Sequence, residues 1–142
     1  MKKMLLLLIL SCWHISALDI KSTLKVYHSL FASILKKQHF SVYTDNSELK
    51  NAFSQSDKIS LASSPSSANI VVASRKDTII RAYQSGTIVL TTKYSLLDDS
   101  TRVIGALYWR KGRSQLLFVR NRLQQQGITL PKQYSKFIVD NL

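Results

Sequence analysis

At 142 residues, with 45% apolar and 20% charged side chains, the chain has the make-up of one ordinary domain with one core; disorder throughout is excluded. Lys and Arg outnumber Asp and Glu 20 to 8, a formal +12, which implies anionic partners or surfaces without specifying a fold.

Residues 1–17, MKKMLLLLILSCWHISA, combine a basic start (Lys2, Lys3), an apolar run and small residues at Ser16 and Ala17, the pattern of a secretory signal peptide. The run falls short of the roughly 20 residues that span a bilayer. Cleavage is expected after Ala17; Ile9-Leu10-Ser11-Cys12 offers a looser alternative, a lipid-anchored Cys12. Both readings predict that the folded part is exported. Removal of the leader leaves 18 basic residues against 8 acidic, a net +10, and no cysteine, so no disulfide or thiol chemistry is expected of residues 18–142. Export also argues against a nucleic-acid partner, which would be met inside the cell; anionic lipid headgroups or wall polymers are the expected counterparts.

From Asp19 as N-cap, Ile20, Leu24, Tyr27, Phe31, Ile34 and Leu35 recur at helical spacing, which predicts an amphipathic helix ending near Gln38. FSVYT, 40–44, reads as a first strand. Asp45-Asn46-Ser47-Glu48 offers a capping box for a short helix that buries Leu49, Ala52 and Phe53. Lys58–Ala62 alternates as an edge strand with Ile59 and Leu61 inward, and 63–67 is a loop. Ile70–Ala73 and Ile88–Leu90 are continuous apolar runs, as expected of parallel strands covered on both faces. A helix over Thr78–Ser85, with Ile79, Ala82 and Tyr83 apolar and Gly86 at C′, joins them into a right-handed βαβ unit. Tyr94–Asp99 follows as a short helix with Ser95 and Asp98 as cap residues.

Val103–Trp109 and Leu116–Val119 flank a tight turn at Lys111-Gly112 and predict a β-hairpin, Gly supplying the positive φ of a short loop. With Arg110 opposite Arg113, the register sets Leu107 against Leu116, Ala106 against Leu117 and Gly105 against Phe118, whose ring covers the bare glycine backbone. Asn121–Gln126 reads as a helix closed by Gly127, and Pro131 opens a last helix docking Tyr134, Phe137 and Ile138 on the sheet. The fold class is therefore α/β: a single-domain, three-layer Rossmann-like sandwich with a mostly parallel sheet, a C-terminal antiparallel hairpin and two closing helices.

No acid occurs between Ser100 and Val139, while Arg102, Arg110, Lys111, Arg113, Arg120, Arg122, Lys132 and Lys136 do, so this end should carry a positive field. Tyr108 and Trp109 beside Arg110, Lys111, Gly112 and Arg113 have the composition of an interface hot spot, although strand alternation lets only one aromatic face a given side. Open α/β sheets bind ligands off the carboxyl ends of their strands, here Thr44, Asp45, Ser74, Arg75, Thr92, Lys93 and Tyr94, where Arg75 and Lys93 suit an anionic small molecule. Polar strand ends that merely cap helices explain the same residues. His28 and His39 stand three helical turns apart and cannot share an ion, Asp98-Asp99 cannot converge on one reacting atom, and with four glycines a nucleotide cradle is hard to build. No enzyme, metal or cofactor is expected.

The order and wording of 69–138, namely NIVVAS, TIVLTT, VIGALYWRKGRSQLLFVRN, RLQQQGITL and PKQYSKFI, resemble the YfiR-like family of periplasmic regulators; Tyr27, Leu30 and Phe31 resemble its opening helix. Three departures stand out: the absence of the family's disulfide cysteines, of its aromatic-proline helix end at Gln38-His39, and of a full crossover between the second and third strands. The resemblance implies a non-enzymatic protein that binds the periplasmic part of an inner-membrane signalling protein, typically a diguanylate cyclase, and holds it inactive. Two alternatives stand beside it: an anion-binding module related to solute-binding proteins, and an envelope-associated structural protein held by charge. An exposed sheet edge near Ile59 and Leu61 also leaves a homodimer open.

Overall fold

The structure, a computed structural model, describes residues 20–142; the signal-peptide reading, Cys12 and the Asp19 cap lie outside the described residues. A helix α1 over 20–35 precedes β1 (Phe40–Thr44), α2 (Ser47–Ser54), β2 (Ile59–Leu61), β3 (Ile70–Ala73), α3 (Lys76–Ser85) and β4 (Ile88–Thr91). Then come α4 (Tyr94–Asp99), β5 (Val103–Arg110), β6 (Arg113–Val119), α5 (Arg120–Gln125), a 3₁₀ segment Lys132–Phe137 and β7 (Ile138–Val139). No helix of the described residues is long and apolar enough to cross a membrane.

One seven-stranded sheet runs β2-β1-β3-β4-β5-β6-β7. Strands β1 to β5 are mutually parallel, β6 runs antiparallel to β5, and β7 is parallel to β6. The two-faced burial expected of parallel strands is visible in β3, where Ile70, Val71, Val72 and Ala73 are all buried. Two apolar layers sandwich the sheet: one centred on Phe31, Phe53, Val72, Ile104 and Phe118, with α1 packed over it, the other on Val71, Ile79, Val89, Leu97 and Val103. Chain order and strand order reverse at β1, so the boundary between β1 and β3 is the sheet's switch point.

The hairpin register agrees residue by residue with the sequence reading, from Arg110 opposite Arg113 to Gly105 opposite Phe118. Lys111 and Gly112 turn it with φ of 51° and 76°. The edge strand β2 pairs with β1, and the short 62–69 connection crosses β1 to reach β3 without a crossover helix.

Several local expectations are corrected. Helix α1 stops at 35 because Lys36 takes a left-handed φ of 56°, its ammonium reaching the Thr129 carbonyl at 2.8 Å. Leu61 remains 36% exposed because β2, at the sheet edge, has one strand neighbour and little cover. On α3 the buried face is Thr78, Ile79 and Ala82, and Tyr83 instead lies out under the Arg102 guanidinium, 4.4 Å from its ring centre. Ser95 and Asp98 do not cap α4: Lys93 holds the cap position, its N–H donating to the Thr91 hydroxyl. The loop at 63–67 contains a 3₁₀ turn, Pro65–Ser67. The last helix is a 3₁₀ segment ending in β7, since Ile138 and Val139 find open backbone on β6 at Phe118 and Val119.

Candidate functional site

Strand β4 pairs with β5 no further than Ala106, and β7 reaches β6 only at Phe118 and Val119. Leu107–Arg110 and Arg113–Leu116 therefore form a two-stranded ribbon projecting past the sheet. Alternation puts Tyr108 and Trp109 on opposite faces. Tyr108 is half-buried against Tyr94, ring centres 5.7 Å apart, whereas Trp109 is 69% exposed. Arg110, Lys111, Gly112 and Arg113 are all exposed, and among the described residues none of these three cations is in an ion pair.

The positive field expected of the whole C-terminal part is thus concentrated at this tip. Arg122 is 8% exposed, and its Nη1 donates to the carbonyls of Leu97 (2.7 Å), Ser100 (2.9 Å) and Val103 (3.0 Å). Burial lowers its pKa from the ordinary arginine value, partly opposed by Asp98, but a guanidinium stays charged and here satisfies carbonyls at the end of α4 and the start of β5. Arg120 bonds Asp140 at 2.7 Å across an exposed surface, and Arg102 rests on Tyr83.

The strand-end crevice is closed by its own hydrogen bonds. Asp45 accepts from the N–H groups of Ser74 (2.7 Å) and Arg75 (3.0 Å), bridging the switch point from β1 to β3. The Ser74 hydroxyl meets Thr92 at 2.5 Å and accepts from Asn46 Nδ2 at 3.1 Å. Thr44 accepts from the Asn46 N–H, and Asn46, as N-cap of α2, accepts from Leu49 N–H. Arg75 forks onto Asp77 through two 3.0 Å bonds, Lys93 is exposed, and Tyr94 packs on Tyr108. Thr44, Asp45, Ser74 and Thr92 are brought together, but as a structural clasp.

The open space lies next to it, on the α1 side of the sheet. A groove of about 540 Å³ runs between α1, the start of α2 and the ribbon, with Asn46 and Thr92 at its inner end and Trp109 at its lip. Val26, 42% exposed, forms part of the α1 wall. Sequence reading did not find this groove, because its walls mix stripe residues such as Ile20, Tyr27 and Leu49 with residues beside the stripe such as Val26 and Glu48, and only the projecting ribbon brings them around one space.

No protein-family model and no curated protein matches this chain. Among solved structures, the crystal structure of a conserved domain protein from Vibrio cholerae O1 biovar El Tor is similar in fold, with a TM-score of 0.56 and 14% identity. The match covers 84% of this chain and 59% of that one, so this chain spans about three-fifths of its neighbour's length. At that identity the likeness shows the α/β fold alone.

The histidines are not neighbours. His28 Nε2 meets the Ser56 hydroxyl at 2.7 Å, tying α1 to the segment after α2, while His39 is exposed. Burial lowers the His28 pKa, Lys58 adds to that, and Asp57 opposes it.

Proposed function

We propose that this protein is an exported, YfiR-like, non-enzymatic regulator whose β5–β6 ribbon docks on the periplasmic part of an inner-membrane signalling protein such as a diguanylate cyclase or sensor kinase. The observation that carries the reading is Trp109, 69% exposed on a ribbon that leaves the sheet and beside three exposed cations that are in no ion pair among the described residues. Trp and Arg are enriched among the residues that supply most of the binding energy in protein interfaces, and here they stand together at one exposed tip. The clasped strand-end crevice, in which Asp45 is committed to two backbone N–H groups and Arg75 to Asp77, favours docking over anion binding there.

A photo-crosslinking residue at position 109, introduced in living cells, tests it. The expected product is a covalent adduct with a membrane signalling protein, lost when Arg110 and Arg113 are both changed to Glu. Recovery of no membrane protein would overturn the reading. Attachment that survives Trp109→Ala but dissolves in moderate salt would instead indicate envelope association by charge.

A further inference from the structure

We propose that the groove between α1, α2 and the ribbon is a binding site for a neutral, hydroxyl-rich ligand of one or two sugar rings. The site stands on the groove alone and does not require the docking reading. Its volume of about 540 Å³ lies within the range of small-ligand sites, roughly 300–1,000 Å³. It also opens off the carboxyl end of β4 beside the β1/β3 switch point, where doubly wound sheets leave room for ligands.

The chemistry of the walls selects the class. Apolar side chains come from every wall: Val26 from α1, Leu49 from α2, and Leu107 and Trp109 from the ribbon. Pyranose C–H groups carry slight positive charge and pack on the negative face of an indole, so a sugar ring covers Trp109 while keeping its hydroxyls at the edge. Polar side chains are interspersed with them: Glu48 and Asn51 on α2 and Ser114 beside Trp109 on the ribbon line the groove, and none of these side chains has a hydrogen-bond partner among the described residues. Together they offer planar and hydroxyl groups, donors and acceptors both, which is what paired sugar hydroxyls require.

Charge excludes the other classes. Among the described residues no Lys or Arg lines the groove, so an anion finds no counter-charge from them inside it. Among the described residues a cation meets one carboxylate there, Glu48, while the ribbon that contributes Trp109 and Ser114 ends in three cations. A neutral hydrogen-bonding ligand meets neither obstacle.

The test is an NMR titration of the exported protein, following the Trp109 indole N–H, assigned through Trp109→Phe. N,N′-diacetylchitobiose and cellobiose serve as neutral probes, chitobiose as the deacetylated cation and digalacturonic acid as the anion. Saturable shifts are expected with at least one neutral probe, at a Kd no weaker than about 10 mM, and tighter than with either charged probe. Asn51→Ala and Ser114→Ala, both at exposed positions, should each weaken that binding about tenfold while the rest of the spectrum is unchanged. The proposal is overturned if neither neutral probe saturates, if a charged probe binds more tightly, or if both variants bind like the parent.

Discussion

Gly105 offers the sharpest check on the hairpin that builds both surfaces. A Cβ at this position would sit 2.6 Å from the Leu117 carbonyl oxygen and 2.6 Å from Phe118 Cδ1. The second distance is roughly 0.9 Å inside the ~3.5 Å at which carbon atoms begin to attract optimally. Phe118 is fully buried with its ring against Tyr134, 6.2 Å between centres, so it cannot swing outward, and the carbonyl belongs to the β6 backbone. Overpacking costs about 1–3 kcal/mol, and a main-chain clash belongs at the upper end. The reduced freedom of alanine in the unfolded chain offsets about 0.4–1 kcal/mol of that. Gly105→Ala should therefore destabilise the fold by about 2 kcal/mol. Urea unfolding followed by circular dichroism would show a lowered midpoint with an unchanged slope. A Phe118→Leu partner mutation should relieve the ring clash and not the carbonyl clash, giving a coupling of about 1 kcal/mol in a double-mutant cycle. If Gly105→Ala is within about 0.5 kcal/mol of the parent, the Gly105–Phe118 register is wrong and the ribbon faces are misassigned.

Three further outcomes follow from the same geometry. Arg122→Ala should cost about 3 kcal/mol in equilibrium unfolding, because it strands the carbonyls of Leu97, Ser100 and Val103, two of these bonds being buried. Asp45→Ala should cost about 2 kcal/mol by orphaning the N–H groups of Ser74 and Arg75, with Asp45→Asn intermediate; a neutral result would show that the switch point is not clasped. His28 has a folded-state pKa below its unfolded value, so its contribution is present above the unfolded pKa of about 6.5 and is lost as pH falls through the lower folded value. The difference in stability between the parent and His28→Gln should accordingly shrink on acidification below about pH 6.5, and a difference that grows would reverse the assignment.

How much of this was legible in sequence depends on whether the deciding contact was local. The hairpin was readable to the residue because one turn at Lys111-Gly112 fixes every pair behind it, including the Phe118 ring over Gly105. Strands β3 and β4 announced themselves by unbroken apolar runs. By contrast, Ile138 and Val139 looked like the end of a helix begun at Pro131, and only the free backbone of β6, some twenty residues earlier, makes them a strand. Arg122 was grouped with the surface cations because residue type alone cannot reveal three carbonyls converging on one guanidinium from α4 and the start of β5. Tyr83 failed similarly: the helical stripe is right for Ile79 and Ala82, but Thr78 takes the remaining inward position and Arg102 holds the ring outside.

The same distinction explains why four of the strand-end residues, Thr44, Asp45, Ser74 and Thr92, meet at one boundary while only Thr92 of them lines the open groove. Topology alone places Thr44, Asp45, Ser74 and Thr92 at one boundary, and no information about side-chain length is needed for that. Whether the boundary is open depends on reach. An aspartate at the end of β1 is just long enough to bridge to the backbone after β3, and once it does so the Ser74 and Thr92 hydroxyls close on each other. Space then opens where the chain overshoots instead of where it meets: β5 continues four residues past Ala106, its last pair with β4, β6 runs five residues before Phe118, its first pair with β7, and that excess wall faces α1 across a gap that no described side chain fills. The groove is thus a product of hairpin length. Shortening the ribbon by two residue pairs, Arg110–Arg113 and Trp109–Ser114, would take the second of these from its lip while leaving the clasp at Asp45 untouched.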